Sequence, residues 1–262
     1  MNAEVPDRTG RDRYDHRVKP FLLIATRPED DAARTEYETF CEFMGLSEQQ
    51  LRWVRLGAEG LPPIDLADHS GIVLGGSPYN STDPPEKKSA IQRTAEAEIS
   101  ALLDQVVARD FPFLGACYGV GTLGVHQGGV LDRHYGESAG AVTVRLTAAG
   151  REDPLVRAAG LPEEFLALVG HKEAVRELPA HAVNLGGSAT CPVQMFRVGR
   201  HQYATQFHPE LDVERFIERL GLYLDQGYVA PEDFEALADR TRQTPVEEPK
   251  RLLSAFADLF AT

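Results

Sequence analysis

Apolar residues in the first half of the chain fall in short, unbroken runs, and polar stretches with helical periodicity lie between them. Residues 21–25 (FLLIA) form one such run, as expected of a strand covered on both faces of a sheet. Residues 51–56, 71–75 (GIVLG) and 111–116 (FPFLGA) read the same way. Asp30 and Asp31 open a predicted helix that continues to Met44 and stops at Gly45. A longer helix is predicted over 86–109, where Ile91, Ala95, Ile99, Leu102, Leu103 and Val106 share one face. Buried strands alternating with helices predict an open parallel sheet with helices on both sides. In such sheets reactive groups gather beyond the carboxyl ends of the strands.

After Gly129 the runs shorten and turn residues separate them: 142–146, 165–169, 183–185, 192–198 and 203–207. These predict antiparallel additions to the sheet. From Asp212 the periodicity is helical again, over about 212–226, 231–242 and 248–260, with Pro231, Pro245 and Pro249 as punctuation. Residues 1–19 carry five basic and four acidic side chains and no periodic apolar face, so they read as a mobile arm.

Composition narrows the class without naming an activity. The 262 residues have a formal net charge of −13, which disfavours contact with phosphate backbones and predicts no nucleic-acid partner. Nearly half of that acidity has a local origin: residues 209–262 hold twelve acidic and six basic side chains, so net charge says little about the substrate. No stretch approaches the roughly 20 apolar residues of a membrane span, and the N-terminus lacks the apolar core of a secretory signal. Cys41, Cys117 and Cys191 cannot all pair. A reducing, cytoplasmic setting is expected, one in which a single Cys can serve as a nucleophile.

The sharpest chemical signal is at 115–119 (GACYG), where a buried strand runs into the form Gly-x-nucleophile-x-Gly. This spacing suits a sharp strand-to-helix turn that strains the nucleophile's backbone and needs small flanking residues. A thiol there sits at a helix start, where the dipole and free N–H groups favour thiolate. A Cys nucleophile needs a base and the base needs an orienting group. Residues 203–210 (YATQFHPE) offer His208 at a strand end and Glu210 two residues on, with Pro209 stiffening the link. A third strand ends in Gly75-Gly76-Ser77-Pro78, where backbone N–H groups can turn toward an oxyanion. The N–H of Tyr118 is the second expected donor. No Gly-Lys-Ser/Thr follows, so this is not a phosphate loop. No Cys/His spacing suits zinc, and neither a metal nor a cofactor is expected. Lys172 and Glu173 read as solvated charges, and Cys41 and Cys191 as packing thiols.

The ordered segments GGSP, GACYG and QFHPE resemble class I glutamine amidotransferases, in particular the glutaminase half of GMP synthase. The likeness extends over 21–211 and takes in Gly128-Gly129, the His171 region (VGHKEAV) and residues 188–193 (SATCPV). It implies a flavodoxin-like three-layer α/β/α sandwich with a mixed, mainly parallel sheet. The chain then divides into an arm (1–19), the amidotransferase-like domain (20–211) and a helical extension packed on that domain (212–262). The resemblance also implies a Cys117–His208–Glu210 triad, an oxyanion hole at Gly76 or Ser77 and Tyr118, and hydrolysis of glutamine's side-chain amide through a thioester. Gly75, Gly121 and His171 are the further candidates for substrate contact. Where the family commonly carries Gln four residues after the nucleophile, this chain has Gly121. That predicts open space beside Cys117, admitting a bulkier γ-glutamyl compound or weakening the hold on glutamine. No ATP-binding motif follows the domain, so any ammonia acceptor is a synthetase on another chain. Two other readings stay open: a free-standing γ-glutamyl peptide hydrolase with the same triad, and a non-catalytic binding or regulatory module.

Overall fold

The computed structural model describes residues 18–56 and 60–262. Most of the arm predicted over 1–19 therefore lies outside the described residues. The first half builds β1 (Phe21–Ala25), α1 (Asp30–Met44), β2 (Leu51–Arg55), β3 (Ile72–Leu74), α2 (Ala90–Ala108), β4 (Phe113–Ala116) and α3 (Tyr118–His126). The second half continues with β5 (Val130–Asp132), β6 (Glu137–Leu146), α4 (Ala148–Glu152), α5 (Pro154–Ala158), β7 (Glu164–His171) and β8 (Ala174–Glu177). Then follow β9 (Val183–Gly187), β10 (Met195–Val198), β11 (Gln202–Thr205), α6 (Val213–Leu222), α7 (Phe234–Arg242) and α8 (Arg251–Phe260).

Nine strands form one sheet in the order β2-β1-β3-β4-β11-β10-β9-β6-β7, and β5 pairs with β8 apart from it. The first five positions are parallel and the rest antiparallel. One expectation is corrected here. The run 203–207 is not an antiparallel addition alone: β11 pairs in parallel with β4, Ala204 opposite Gly115 and Thr205 opposite Ala116, and is antiparallel only to β10.

Strand alternation sorts the core into two layers. Phe21, Leu23, Val73, Leu114 and Tyr203 face the side covered by α1, α5 and α8. Leu22, Ile24, Ile72, Leu74, Phe113 and Ala204 face α2 and α3. This period-two division of wholly apolar strands is what a sheet sandwiched between helices requires. The result is a three-layer α/β/α sandwich.

Helix ends follow from local chemistry. Gly45 adopts the left-handed conformation (φ 69°) and returns its N–H to Cys41 and Glu42 carbonyls, ending α1 where predicted. The long helix begins at Ala90, later than expected, because the Ser89 hydroxyl accepts the Gln92 N–H and caps it. The last helix is core rather than periphery: Leu252, Leu253 and Phe256 are fully buried beside α1. Burying one such side chain is worth roughly 1.5–3 kcal/mol. By contrast α6 and α7 form a smaller cluster over β6 and β7, through Phe216, Leu220 and Leu237. No helix among the described residues is long and apolar enough to cross a membrane.

Candidate active site

Three adjacent parallel strands, β3, β4 and β11, deliver the three sequence motifs to one edge of the sheet. Cys117 directly follows β4 and donates its N–H to the Thr205 carbonyl (2.7 Å), one step beyond the β4–β11 ladder. Its backbone lies at φ 52°, ψ −85°, a region that costs a non-glycine residue strain. The glycine two residues before it has a steric reason. A Cβ on Gly115 would stand 2.6 Å from Gly119 Cα, so the turn closes only because Gly115 has no side chain. The elbow predicted from sequence is present, with α3 starting at Tyr118.

His208 projects from the segment after β11, its N–H held by the Leu168 carbonyl of β7 at 3.0 Å. Phe207 anchors that segment edge-on to Phe165, centroids 5.7 Å apart. His208 Nδ1 lies 2.7 Å from Glu210 Oε1, and both side chains are buried. His208 lines the same cavity as Cys117. Burial alone would lower the imidazole's pKa, but the charge of Glu210 and then that of Cys117 raise it to about 9. For Glu210, burial pushes upward, and His208 together with Arg219 overrides it, leaving the carboxyl at about 2.

Sequence reasoning missed the cationic partner. Arg219 of α6 donates to Glu210 Oε1 at 2.9 Å and lies 3.7 Å from Glu36 Oε1. Glu36 in turn accepts Arg27 Nε at 2.9 Å, and Arg27 Nη1 donates to the Tyr223 hydroxyl at 3.2 Å. Two arginines and two glutamates, Glu210 among them, thus form a buried chain behind His208. A signal existed: Glu36 falls between Ala32, Ala33, Tyr37 and Phe40 on the apolar face of α1, and Arg219 sits beside Phe216 and Leu220 on α6. A charge on an apolar face implies a buried partner, but nothing in the sequence says which.

This chain of charges also accounts for Gly75 and Gly76. A Cβ on Gly75 would meet Glu36 Oε2 at 2.5 Å, and one on Gly76 would meet Arg27 Nη2 at 2.7 Å and His208 Cε1 at 3.3 Å. Gly75, expected as a substrate contact, sends its N–H to Ile24 and packs against Glu36 instead. Gly76 lies beside His208. Ser77 lines the cavity, and its hydroxyl accepts the Tyr79 N–H.

On the far side of Cys117, Gly121 lines the cavity beside the nucleophile, although a Cβ there would meet Ser81 Oγ at 2.9 Å and Glu173 Oε1 at 3.2 Å. One expectation is corrected here. Glu173 is not a solvated charge. It is buried, and its two carboxylate oxygens accept the N–H groups of Ser81 and Thr82, both at 2.8 Å. Lys172 is half-buried, its ammonium 5.0 Å from the Tyr228 ring centroid. His171 lines the cavity beside Cys117, but both of its ring nitrogens are engaged, by the Glu173 carbonyl (3.0 Å) and Glu137 Oε2 (2.8 Å).

Among the described residues, Glu137, His171 and Cys191 place one ligand atom each within 4.8 Å of one another. The Glu137 carboxylate there already accepts from His171, Ser188, Thr190 and Gln194. Burial raises its pKa, but these donors outweigh burial and hold it below the usual carboxylate range. A carboxylate so fully donated to is a structural node rather than a vacant metal ligand.

Two cavities meet at Cys117. The smaller, about 320 Å³, is polar and is lined by Asn80, Tyr118, Lys172, Glu173 and Gln206. The larger, about 480 Å³ including its open mouth, lies on the His208 side against α6.

Comparison with known proteins identifies relatives of this chain. The chain is 28% identical over 148 residues to a glutamine-hydrolyzing GMP synthase subunit from Thermoplasma volcanium, covering 56% of this chain and 65% of that protein. It is 32% identical over 170 residues to the glutamine-hydrolyzing GMP synthase of Porphyromonas gingivalis, covering 62% of this chain but only 29% of the relative. Gamma-glutamyl peptidase 3 of Arabidopsis thaliana is 27% identical over 193 residues, 72% of each chain. The first two relatives are thus matched over less than two thirds of their length. A glutamine amidotransferase structure from Thermotoga maritima superposes with a TM-score of 0.69 at 22% identity, covering 92% of this chain and 98% of the other, and so shares the fold. The model of the glutamine amidotransferase class-I family matches residues 48–219, a span that includes the GGSP loop, the Cys117 elbow, His208 and Glu210. With well over half of its length matched, this chain belongs to the class-I glutamine amidotransferase family.

Proposed function

We propose that the chain is a cysteine hydrolase of γ-glutamyl amides, acting on the side-chain amide of glutamine or a related γ-glutamyl compound. The observation that carries this is the placement of His208, 2.7 Å from Glu210 and sharing a cavity with Cys117 on its strained elbow. In this reading Cys117 Sγ attacks the γ-carbonyl carbon. The N–H groups of Gly76 or Ser77 and Tyr118 receive the oxyanion. His208, held as imidazolium by Glu210, gives its proton to the leaving nitrogen as the C–N bond breaks. Water then attacks the γ-glutamyl thioester, His208 takes the water's proton, and glutamate departs as the thiolate is released. The polar cavity with Lys172 and Glu173 takes the zwitterionic glutamyl head. No cofactor is required.

The domain at 20–211 carries the chemistry in this scheme, and 212–262 supplies Arg219 and one cavity wall. When ammonia is the product, its acceptor is a synthetase on a separate chain. The Thermoplasma relative, itself named as one subunit of a GMP synthase, supports that division. The match to a gamma-glutamyl peptidase over 72% of both chains favours a second reading, a free-standing γ-glutamyl peptide hydrolase with the same triad. Three unpaired cysteines fit a reducing, cytoplasmic setting. The test is product release from glutamine and from a panel of γ-glutamyl amides, wild type beside Cys117→Ala. Turnover that disappears in the variant is expected. Equal turnover by both proteins would exclude the triad.

A further inference from the structure

The cavity on the His208 side of Cys117 has more room than ammonia occupies, and its walls are largely apolar. Leu211, Phe216, Leu220, Tyr223 and Tyr228 supply most of the surface, four of them buried, and the α6 cluster holds this wall in place. The cationic groups at its floor are already engaged by carboxylates: Arg27 by Glu36 and Arg219 by Glu210, each at 2.9 Å, and His208 by the same Glu210 at 2.7 Å. The polar cavity adjoins it at Ser77, Cys117 and Tyr228 and is lined by Asn80, Lys172 and Glu173 in place of His208.

These two surroundings differ in a way the reaction can use. The leaving nitrogen takes its proton from His208, so any substituent on that nitrogen extends to the His208 side. The glutamyl head then lies in the adjoining polar cavity, among Asn80, Lys172 and Glu173. Glutamine has no substituent there and would leave the apolar cavity occupied by water. An apolar amine would fill it, and burying that surface favours the substituted substrate. A substituent bearing a carboxylate would meet only cations already paired with Glu36 and Glu210 and an otherwise apolar wall, which costs desolvation.

We infer that this cavity is a leaving-group subsite, and that the preferred substrates are γ-glutamyl amides of uncharged-tailed, apolar amines. The inference rests on the triad reading above and adds the substrate class to it. The subsite is built largely by α6 and the segment that follows, so much of its apolar wall, from Leu220 onward, lies outside the matched family span.

The test compares kcat/KM of the full chain for γ-glutamyl phenethylamide, γ-glutamylglycine and glutamine, with Cys117→Ala as the blank. The expected order places the phenethylamide about tenfold or more above glutamine, with γ-glutamylglycine no better than glutamine. Leu220→Asn and Tyr228→Ala then lower the phenethylamide-to-glutamine ratio, a quantity that does not depend on how much of a variant is folded. Cys117-dependent turnover with glutamine or γ-glutamylglycine preferred would overturn the subsite while leaving the triad intact. An unchanged ratio in both variants would do the same. Absence of Cys117-dependent turnover on all three substrates would instead remove the triad reading beneath it.

Discussion

Gly115 and Gly119 look equivalent in the motif and are not equivalent in the fold. A methyl group on Gly115 meets the backbone of Gly119 at 2.6 Å, whereas one on Gly119 meets nothing closer than the Leu74 carbonyl at 4.0 Å. Gly115→Ala is therefore expected to lose about 1–3 kcal/mol, the usual cost of overpacking a closed site, and to displace Cys117. Gly119→Ala is expected to be neutral or to gain up to about 1 kcal/mol from helix propensity. Urea unfolding of the two variants checks this, and equal losses would contradict it. The second prediction at this scale concerns His208. Its imidazole, raised to about 9 against the cost of burial, is raised first by the charge of Glu210 and then by Cys117. In Glu210→Gln that support is gone, so the His208 pKa read by NMR from its ring Cε1–H should fall below the wild-type value. An unshifted titration would mean the 2.7 Å contact does not govern the imidazole.

At the scale of elements, α6 connects the C-terminal helices to the His208–Glu210 pair through Arg219. Arg219 lies between Glu210 and Glu36, and its own pKa is lowered, first by burial and then by the nearby charge of Arg27. Its position is costly and is compensated by two carboxylates. Arg219→Met removes the cation and leaves those carboxylates buried with one fewer partner. Breaking a buried pair in this way costs about 3–5 kcal/mol. The expected result is a large fall in denaturation midpoint, with Arg219→Lys intermediate because it keeps the charge and loses the fork. A midpoint unchanged in the Met variant would show that the network does not hold α6 in place.

Element scale is also where the sequence is easiest and hardest to read. The strands at 21–25 and 51–55 and the αL stop at Gly45 are legible because their signals are local: an apolar run, a helical period, a glycine after it. The parallel pairing of β11 with β4 is not, since its partner lies about ninety residues earlier and the run itself carries no direction. The helices α4 and α5 span five residues each, too few for a period to show. At the site, Cys117, His208 and Glu210 stand out by spacing. The surroundings of Gly121 do not, because the carboxylate that fills them comes from Glu173, on the loop between β7 and β8.

Across the whole molecule, the sheet order explains why three distant motifs share one edge: β3, β4 and β11 are neighbours, all parallel, and all end there. The buried His208–Glu210 pair also ties global stability to pH. Glu210, near 2 in the folded chain against an ordinary 4.5, contributes fully above about 4.5, and the contribution is lost as pH falls toward 2. His208, near 9 against 6.5, contributes fully below about 6.5, and the contribution is lost as pH rises through 9. Stability from the pair should therefore be greatest between about pH 4.5 and 6.5, and His208→Gln should remove the alkaline decline. The central claim is that Cys117 carries the acyl group during turnover. Acid-quenched enzyme, mixed with a γ-glutamyl amide and measured by intact-protein mass spectrometry, tests it most directly. A γ-glutamyl adduct that maps to the Cys117 peptide and is absent from Cys117→Ala is the predicted result. Turnover with no adduct at any quench time, or an adduct that persists in the alanine variant, would contradict it.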